Sequence, residues 1–201
     1  MNGEYSSLSR GPFRTTLTFS LFLSLMLLVA ADLGAQTTQP EWRSIAPLPT
    51  ASSGHAVALL PTGEVLICGG IAADGSVSRS SLLYSAETGA YRPTTNQLNT
   101  ARSYHLLIPV VVGTETRVYA IGGFGGASGN YPAEPTIELL TYDGAADNWR
   151  WRPVGRLPVA RGDLRGEWDG GDYIITTGGY ASTAKLEDAT HNMIVARQEA
   201  S

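Results

Sequence analysis

Gly63-Glu64-Val65-Leu66-Ile67-Cys68-Gly69-Gly70 is a turn residue, a short run of mostly apolar and β-branched side chains, and then a pair of glycines. Such a run reads as a strand, and glycines at its end mark a close backbone approach or a positive φ. The same device returns at Arg117-Val118-Tyr119-Ala120-Ile121-Gly122-Gly123 and at Asp172-Tyr173-Ile174-Ile175-Thr176-Thr177-Gly178-Gly179. The second glycines lie at 70, 123 and 179, spacings of 53 and 56 residues. A repeat of that length decides the architecture before any local reading does.

Working outward, each glycine pair is preceded by a similar opening. Leu48-Pro49 leads to Ser53-Gly54-His55, Leu98-Asn99-Thr100-Ala101-Arg102 leads to Tyr104-His105, and Leu157-Pro158-Val159-Ala160-Arg161 opens the third period. Downstream come Leu82-Leu83-Tyr84 and Leu139-Leu140-Thr141-Tyr142-Asp143, each followed by a turn and an aromatic, Tyr91 or Trp149. Each period therefore predicts a four-stranded meander with no room for crossover helices. After Gly179, Asn192-Met193-Ile194-Val195-Ala196-Arg197 alternates as a third strand should, and Trp42-Arg43-Ser44-Ile45 reads as a lone outer strand.

This order of an Arg or His opening, a strand ending in Gly-Gly, a Tyr-bearing third strand and an aromatic-bearing fourth resembles the kelch repeat. The resemblance spans nearly all of the chain after its N-terminal segment. It departs from the pattern in the first period, where Tyr91 stands for the usual Trp and Ser53-Gly54 for the Arg. It implies an all-β, kelch-type β-propeller fragment with a signal peptide at 1–35 and a partial propeller over 36–201. Within the latter, 42–47 is expected as the lone outer strand, 48–93 as blade one, 98–154 as blade two and 157–201 as an incomplete blade three. Propellers close with roughly 4–8 blades, so two full blades and most of a third are expected to belong to a longer product and to self-associate alone.

The residue types make physical sense as a repeat motif. Gly69, Gly70, Gly122, Gly123, Gly178 and Gly179 are expected to turn the backbone and let neighbouring sheets approach with no Cβ between them. A valine at Gly123 should clash, whereas one at Gly126, in a loop, should be tolerated. Tyr84, Tyr119, Tyr142 and Trp149 are expected in the core between sheets. Arg102 and Arg161, near the first strands, need carboxylate or carbonyl partners if buried, and Glu138 is a candidate partner.

The N-terminus has Arg10 and Arg14, an apolar run from Leu17 to Ala31, and small residues before Gln36. That is the pattern of a signal peptide cut after Ala35, with a retained membrane anchor as the alternative. Export to the periplasm, cell surface or medium follows, with membrane contact only through that segment if it is uncleaved. Acidic residues outnumber basic ones, 18 against 14, a net charge of −4, so nucleic acid is not an expected partner. Cys68 is the single cysteine, which excludes an intrachain disulfide, and its place at the end of an apolar strand reads as a buried small hydrophobe. His55 and His105 have no further His or carboxylate at a metal-binding spacing, so neither a metal nor a cofactor is expected.

A propeller is a scaffold whose loops carry specificity. The leading expectation is a non-enzymatic module that recognises protein or glycan through inter-blade loops, with Asn130 and Tyr131 in the Gly- and Ser-rich loop after Gly123, and Arg102 and Arg161, as ligand-binding candidates. The alternative is part of a secreted enzyme acting on carbohydrate. The resemblance extends to sialic-acid mutarotases, for which Arg102, Arg161 and Glu138 would have to converge on a central cavity. It extends less well to the galactose-oxidase-like copper enzymes, whose crosslinked cysteine belongs on the inner strand, here Gly54 to Leu59, which has none.

Overall fold

The computed structural model describes residues 41–126, 130–144 and 148–181, together with the strand Ile194–Arg197. The chain divides into two units, residues 1–44 and 45–201, and the second carries every described strand. The signal peptide expected over 1–35 lies outside the described residues. Among the described residues there is no helix.

Three antiparallel sheets follow one another along the chain. Sheet one is β2 (Ala56–Leu59), β3 (Val65–Cys68), β5 (Ser81–Ser85) and β6 (Ala90–Pro93), with a small ribbon of β1 (Ser52–Ser53) and β4 (Ile71–Ala72) beside it. Sheet two is β7 (Leu106–Val112), β8 (Glu115–Ile121), β9 (Thr136–Asp143) and β10 (Asn148–Arg156). Sheet three is β11 (Gly162–Trp168), β12 (Tyr173–Tyr180) and β13 (Ile194–Arg197), so the expected third strand after Gly179 is formed. In every sheet the strands lie in chain order, each a meander, and β7 lies beside both β2 and β11. The described residues make a series of three sheets and not a closed ring.

Sheet two is buried on both faces, which explains why Leu106-Leu107-Ile108 carries no polar residue. On one face Val118, Ala120, Leu140, Trp149 and Trp151 meet Leu66, Cys68 and Leu83 of sheet one, with Leu98 closing the layer. On the other, Ile108, Val110 and Ile121 meet Leu164 and Ile174 of sheet three, with Leu157 in the equivalent place. Each large apolar side chain buried in these layers contributes about 1.5–3 kcal/mol. Pro109 is tolerated mid-strand because β7 is the edge of its sheet, where a missing N–H breaks no ladder.

The glycine pairs are the joints of this stack. Gly70 N–H donates to Arg102 O at 2.8 Å and Gly123 N–H to Arg161 O at 2.9 Å, so each second glycine bonds to the segment that opens the next sheet. Their φ values of 102° and 105° lie in the region that side chains avoid. A Cβ on Gly123 would stand 2.7 Å from Ser103 O and 2.8 Å from His105 Cβ.

Three expectations are corrected. Residues 42–47 form no strand. Tyr142 is 42% exposed whereas Trp149 is 1% exposed. Tyr142 lies one residue beyond the last β9 position paired with β8, so its ring, 5.0 Å from that of Trp149, covers the tryptophan from outside instead of entering the core. Tyr84 pairs with Val65 within the sheet and is buried. Gly126 is not free to take a valine either: its φ is 88° and a Cβ would run into Asn130 O and lie 2.9 Å from Pro132 Cδ, because the loop folds back through Gly125 N–H to Pro132 O.

Gly113 offers the control for the joints, with a φ of 61° and nothing within 4 Å of a Cβ. Gly113→Ala should cost about 1–2 kcal/mol, the strain of a left-handed backbone alone. Gly123→Ala should cost clearly more, since a backbone carbonyl must also move. Urea unfolding midpoints compare the two, and equal losses would refute the joint.

Candidate functional site

Arg102 and Glu138 were expected as partners, and the structure joins them. Both side chains are fully buried, with Arg102 Nη2 2.8 Å from Glu138 Oε1. The guanidinium also donates to Gly122 O (2.7 Å), Thr136 O (3.0 Å) and Thr136 Oγ1 (2.8 Å). Glu138 accepts from the Asn99 N–H and side-chain amide and from the Thr100 N–H at 2.7–2.8 Å. Burial alone would raise the Glu138 carboxyl, but these bonds and the Arg102 charge outweigh it and hold it below the ordinary carboxylate value. A guanidinium so enclosed holds the opening segment of sheet two and has no surface to offer a ligand. Arg161 is placed alike in sheet three, 4% exposed and donating from Nη1 to Gly179 O at 3.1 Å.

Beneath Arg102 lies the pair most easily mistaken for a nucleophile and base. Cys68 Sγ is 3.3 Å from His105 Nε2 across the interface of sheets one and two. Burial first, then the nearby charges of Arg102 and His55, push His105 from 6.5 down to about 3. Burial also raises the Cys68 thiol far above its ordinary range. Thiol and imidazole are both neutral, and the pair is a packing contact without a reactive thiolate. Among the described residues no three His, Cys, Asp or Glu side chains gather as a metal site.

The sequence reading missed the row at the start of the first strands. Gly54, Tyr104 and Asp163 occupy equivalent positions in the three repeats, all with positive φ of 61°, 47° and 53°. They are wired in series: Tyr104 N–H donates to Gly54 O at 2.7 Å, and Asp163 N–H to Tyr104 O at 2.8 Å. Tyr104 is 46% exposed, and its ring lies over Gly54, where a Cβ would come within 2.7 Å of it. Asp163 accepts from Arg165 Nη1 at 2.8 Å, both part-exposed. An aromatic face, a carboxylate and a guanidinium thus follow one another along this rim. The signal in the sequence was the alignment of Gly54 with Tyr104 and Asp163, a glycine exchanged for side chains at a position beside the first strand.

The loop candidates lie elsewhere. Tyr131 is half-buried with its hydroxyl donating to Gly75 O at 3.1 Å, tying the loop of repeat two to that of repeat one, while Asn130 is exposed. The structure does not bring either into the row of Tyr104 and Asp163 by any hydrogen bond among the described residues. Comparison with protein-family models and with curated proteins finds no match to either.

Two outcomes follow from the buried groups. Arg102→Ser or Glu138→Leu alone should cost about 3–5 kcal/mol, since each strands a buried charge. The double variant should lose much less than the sum, because the registers put Leu82 of sheet one at the Glu138 position and Ser52, not the expected Ser53-Gly54, at that of Arg102; additive losses in denaturant would refute the coupling. Stability should also fall on acidification in two windows. The unfolded chain protonates His105 as pH drops below 6.5 whereas the folded chain resists to about 3, so that part of the stability is lost first. Glu138, held low in the fold, adds its loss only below the ordinary carboxylate value. His105→Gln should flatten the melting temperature between pH 6.5 and 5 and leave the acid limb; an unchanged profile would show that another group titrates.

Proposed function

We propose that the chain is an exported kelch-type β-propeller module that binds a glycan through the rim formed by Tyr104, Asp163 and Arg165. Two four-stranded meanders and a three-stranded one, joined by glycine pairs, support the propeller reading, and the signal-like N-terminus supports export. One observation carries the function. The rim position demands a left-handed backbone, which glycine supplies without strain at Gly54, yet its two successors are a tyrosine and an aspartate. Strain retained at an exposed position points to a role for the side chain. A tyrosine ring offers a face for the apolar side of a sugar, and a carboxylate beside a guanidinium offers acceptors and donors to its hydroxyls. A protein ligand fits the same chemistry less closely, since the exposed apolar area at the rim is one ring.

The reading is tested by Tyr104→Gly and Asp163→Gly. Both should leave stability within about 1 kcal/mol of the parent, or raise it, because left-handed strain is removed. On an array of defined neutral and acidic oligosaccharides the parent should bind a subset, and both variants should lose that binding. Absence of binding by the parent, or equal binding by both variants, overturns the rim.

A further inference from the structure

The strand registers place a second feature in sheet one. Gly122 N–H donates to Thr136 O, and Gly69 N–H donates to Ser80 O, so Ser80 stands where Thr136 does. Two residues along, Leu82 stands where Glu138 does, since Ile67 pairs with Leu82 as Ala120 pairs with Glu138. Ser52, preceding Ser53-Gly54-His55, stands where Arg102 precedes Ser103-Tyr104-His105. The slot that the Arg102 guanidinium fills in sheet two is therefore lined in sheet one by a short hydroxyl and a leucine. Ser52 Oγ reaches Gly69 O only at 3.4 Å, against 2.7 Å for Arg102 Nη1 to Gly122 O.

What remains is a cavity of about 120 Å³ whose walls include Leu48, Pro49, Ser52, His55, Ser80 and Leu82. Three of the four acceptors that bind the guanidinium in sheet two have counterparts here: Gly69 O, Ser80 O and Ser80 Oγ. His55 also lines the cavity, with its Nδ1 enclosed as that of His105 is beside the filled slot. The fourth acceptor, the carboxylate, is replaced by Leu82, so a cation would be buried without its counter-charge.

We propose that this cavity binds a primary carboxamide on an aliphatic stem. Its NH2 group supplies two donors to Gly69 O and Ser80 O, in the manner of the Arg102 nitrogens, and its carbonyl accepts from the Ser52 hydroxyl. Leu48, Pro49 and Leu82 cover the stem. The site is separate from the rim and stands whether or not the rim binds glycan.

The test uses the full chain and four probes followed by amide chemical shifts: butyramide, propylguanidinium, butyrate, and a short glutamine-containing peptide. Butyramide should shift Ser52, His55 and Ser80 saturably, at least about tenfold more tightly than propylguanidinium or butyrate. The peptide arm separates the sources: binding as tight as butyramide assigns a glutamine side chain of a partner, and weaker binding assigns a small amide. Ser52→Arg combined with Leu82→Glu, which rebuilds the buried pair of sheet two, should fill the slot and abolish the shifts. Leu82→Glu, which restores the carboxylate, should reverse the preference towards propylguanidinium. Preference of the parent for the cation or the anion, absence of shifts at these residues, or no reversal in Leu82→Glu would overturn the proposal.

Discussion

Arg102 is fastened in three directions. Its carbonyl receives the Gly70 N–H of the preceding sheet, its guanidinium reaches the Gly122 carbonyl of its own sheet, and the same group meets Glu138 across β9. One residue thereby fixes the position of sheet two against sheet one and the path of the segment that opens it. A charge this deep is tolerable because all but one of its nitrogens is engaged, and because Glu138 is itself saturated by Asn99 and Thr100. The glycines do the complementary work, since no Cβ could stand between Gly69 and the Arg102 carbonyl. Packing of Trp149, Trp151 and Leu140 then fills a gap whose width is already set.

Much of this was legible in the sequence, because repetition turns weak local signals into strong ones. The glycine pairs, the strand order and the strand at Ile194–Arg197 follow from comparing one period with the next, and Glu138 was a candidate partner because a buried guanidinium needs a carboxylate or carbonyl. Where the sequence misled, a local pattern lacked its long-range partner. Trp42-Arg43-Ser44-Ile45 has strand-like residues but pairs with no strand. Tyr142 aligns with Tyr84 by the residues around it, yet loops of different length place it two residues further along the ladder. Gly126 looks like linker until the hydrogen bond from Gly125 to Pro132 shows the loop closing on itself.

The candidate site was the least legible part. Sequence reasoning named Asn130 and Tyr131 in a loop and two arginines beside the first strands, and physics buried the arginines, because an arginine there completes the acceptors of a glycine-pair turn. The exposed side chains sit two residues further on, at a position marked by its positive φ and by the glycine that sheet one keeps there. Sheet one then shows what happens when the arginine and the glutamate are both absent: Gly69 N–H still bonds Ser80 O as Gly122 N–H bonds Thr136 O, and the space stays open. Repeat architectures tolerate such exchanges because each unit answers only to its neighbours.

Three of the four tryptophans, all but the exposed Trp42, are distributed along the same joints. Trp149 and Trp151 lie in the layer between sheets one and two, the latter donating from its indole to Ser81 Oγ, while Trp168 packs with the layer between sheets two and three. Each interface thus carries its own fluorophore, in a different polarity. Trp151, hydrogen-bonded and dry, and Trp168, half-exposed and donating to Gly171 O, will emit at different wavelengths. Separation of one sheet from the next is therefore written into the emission spectrum without any added label.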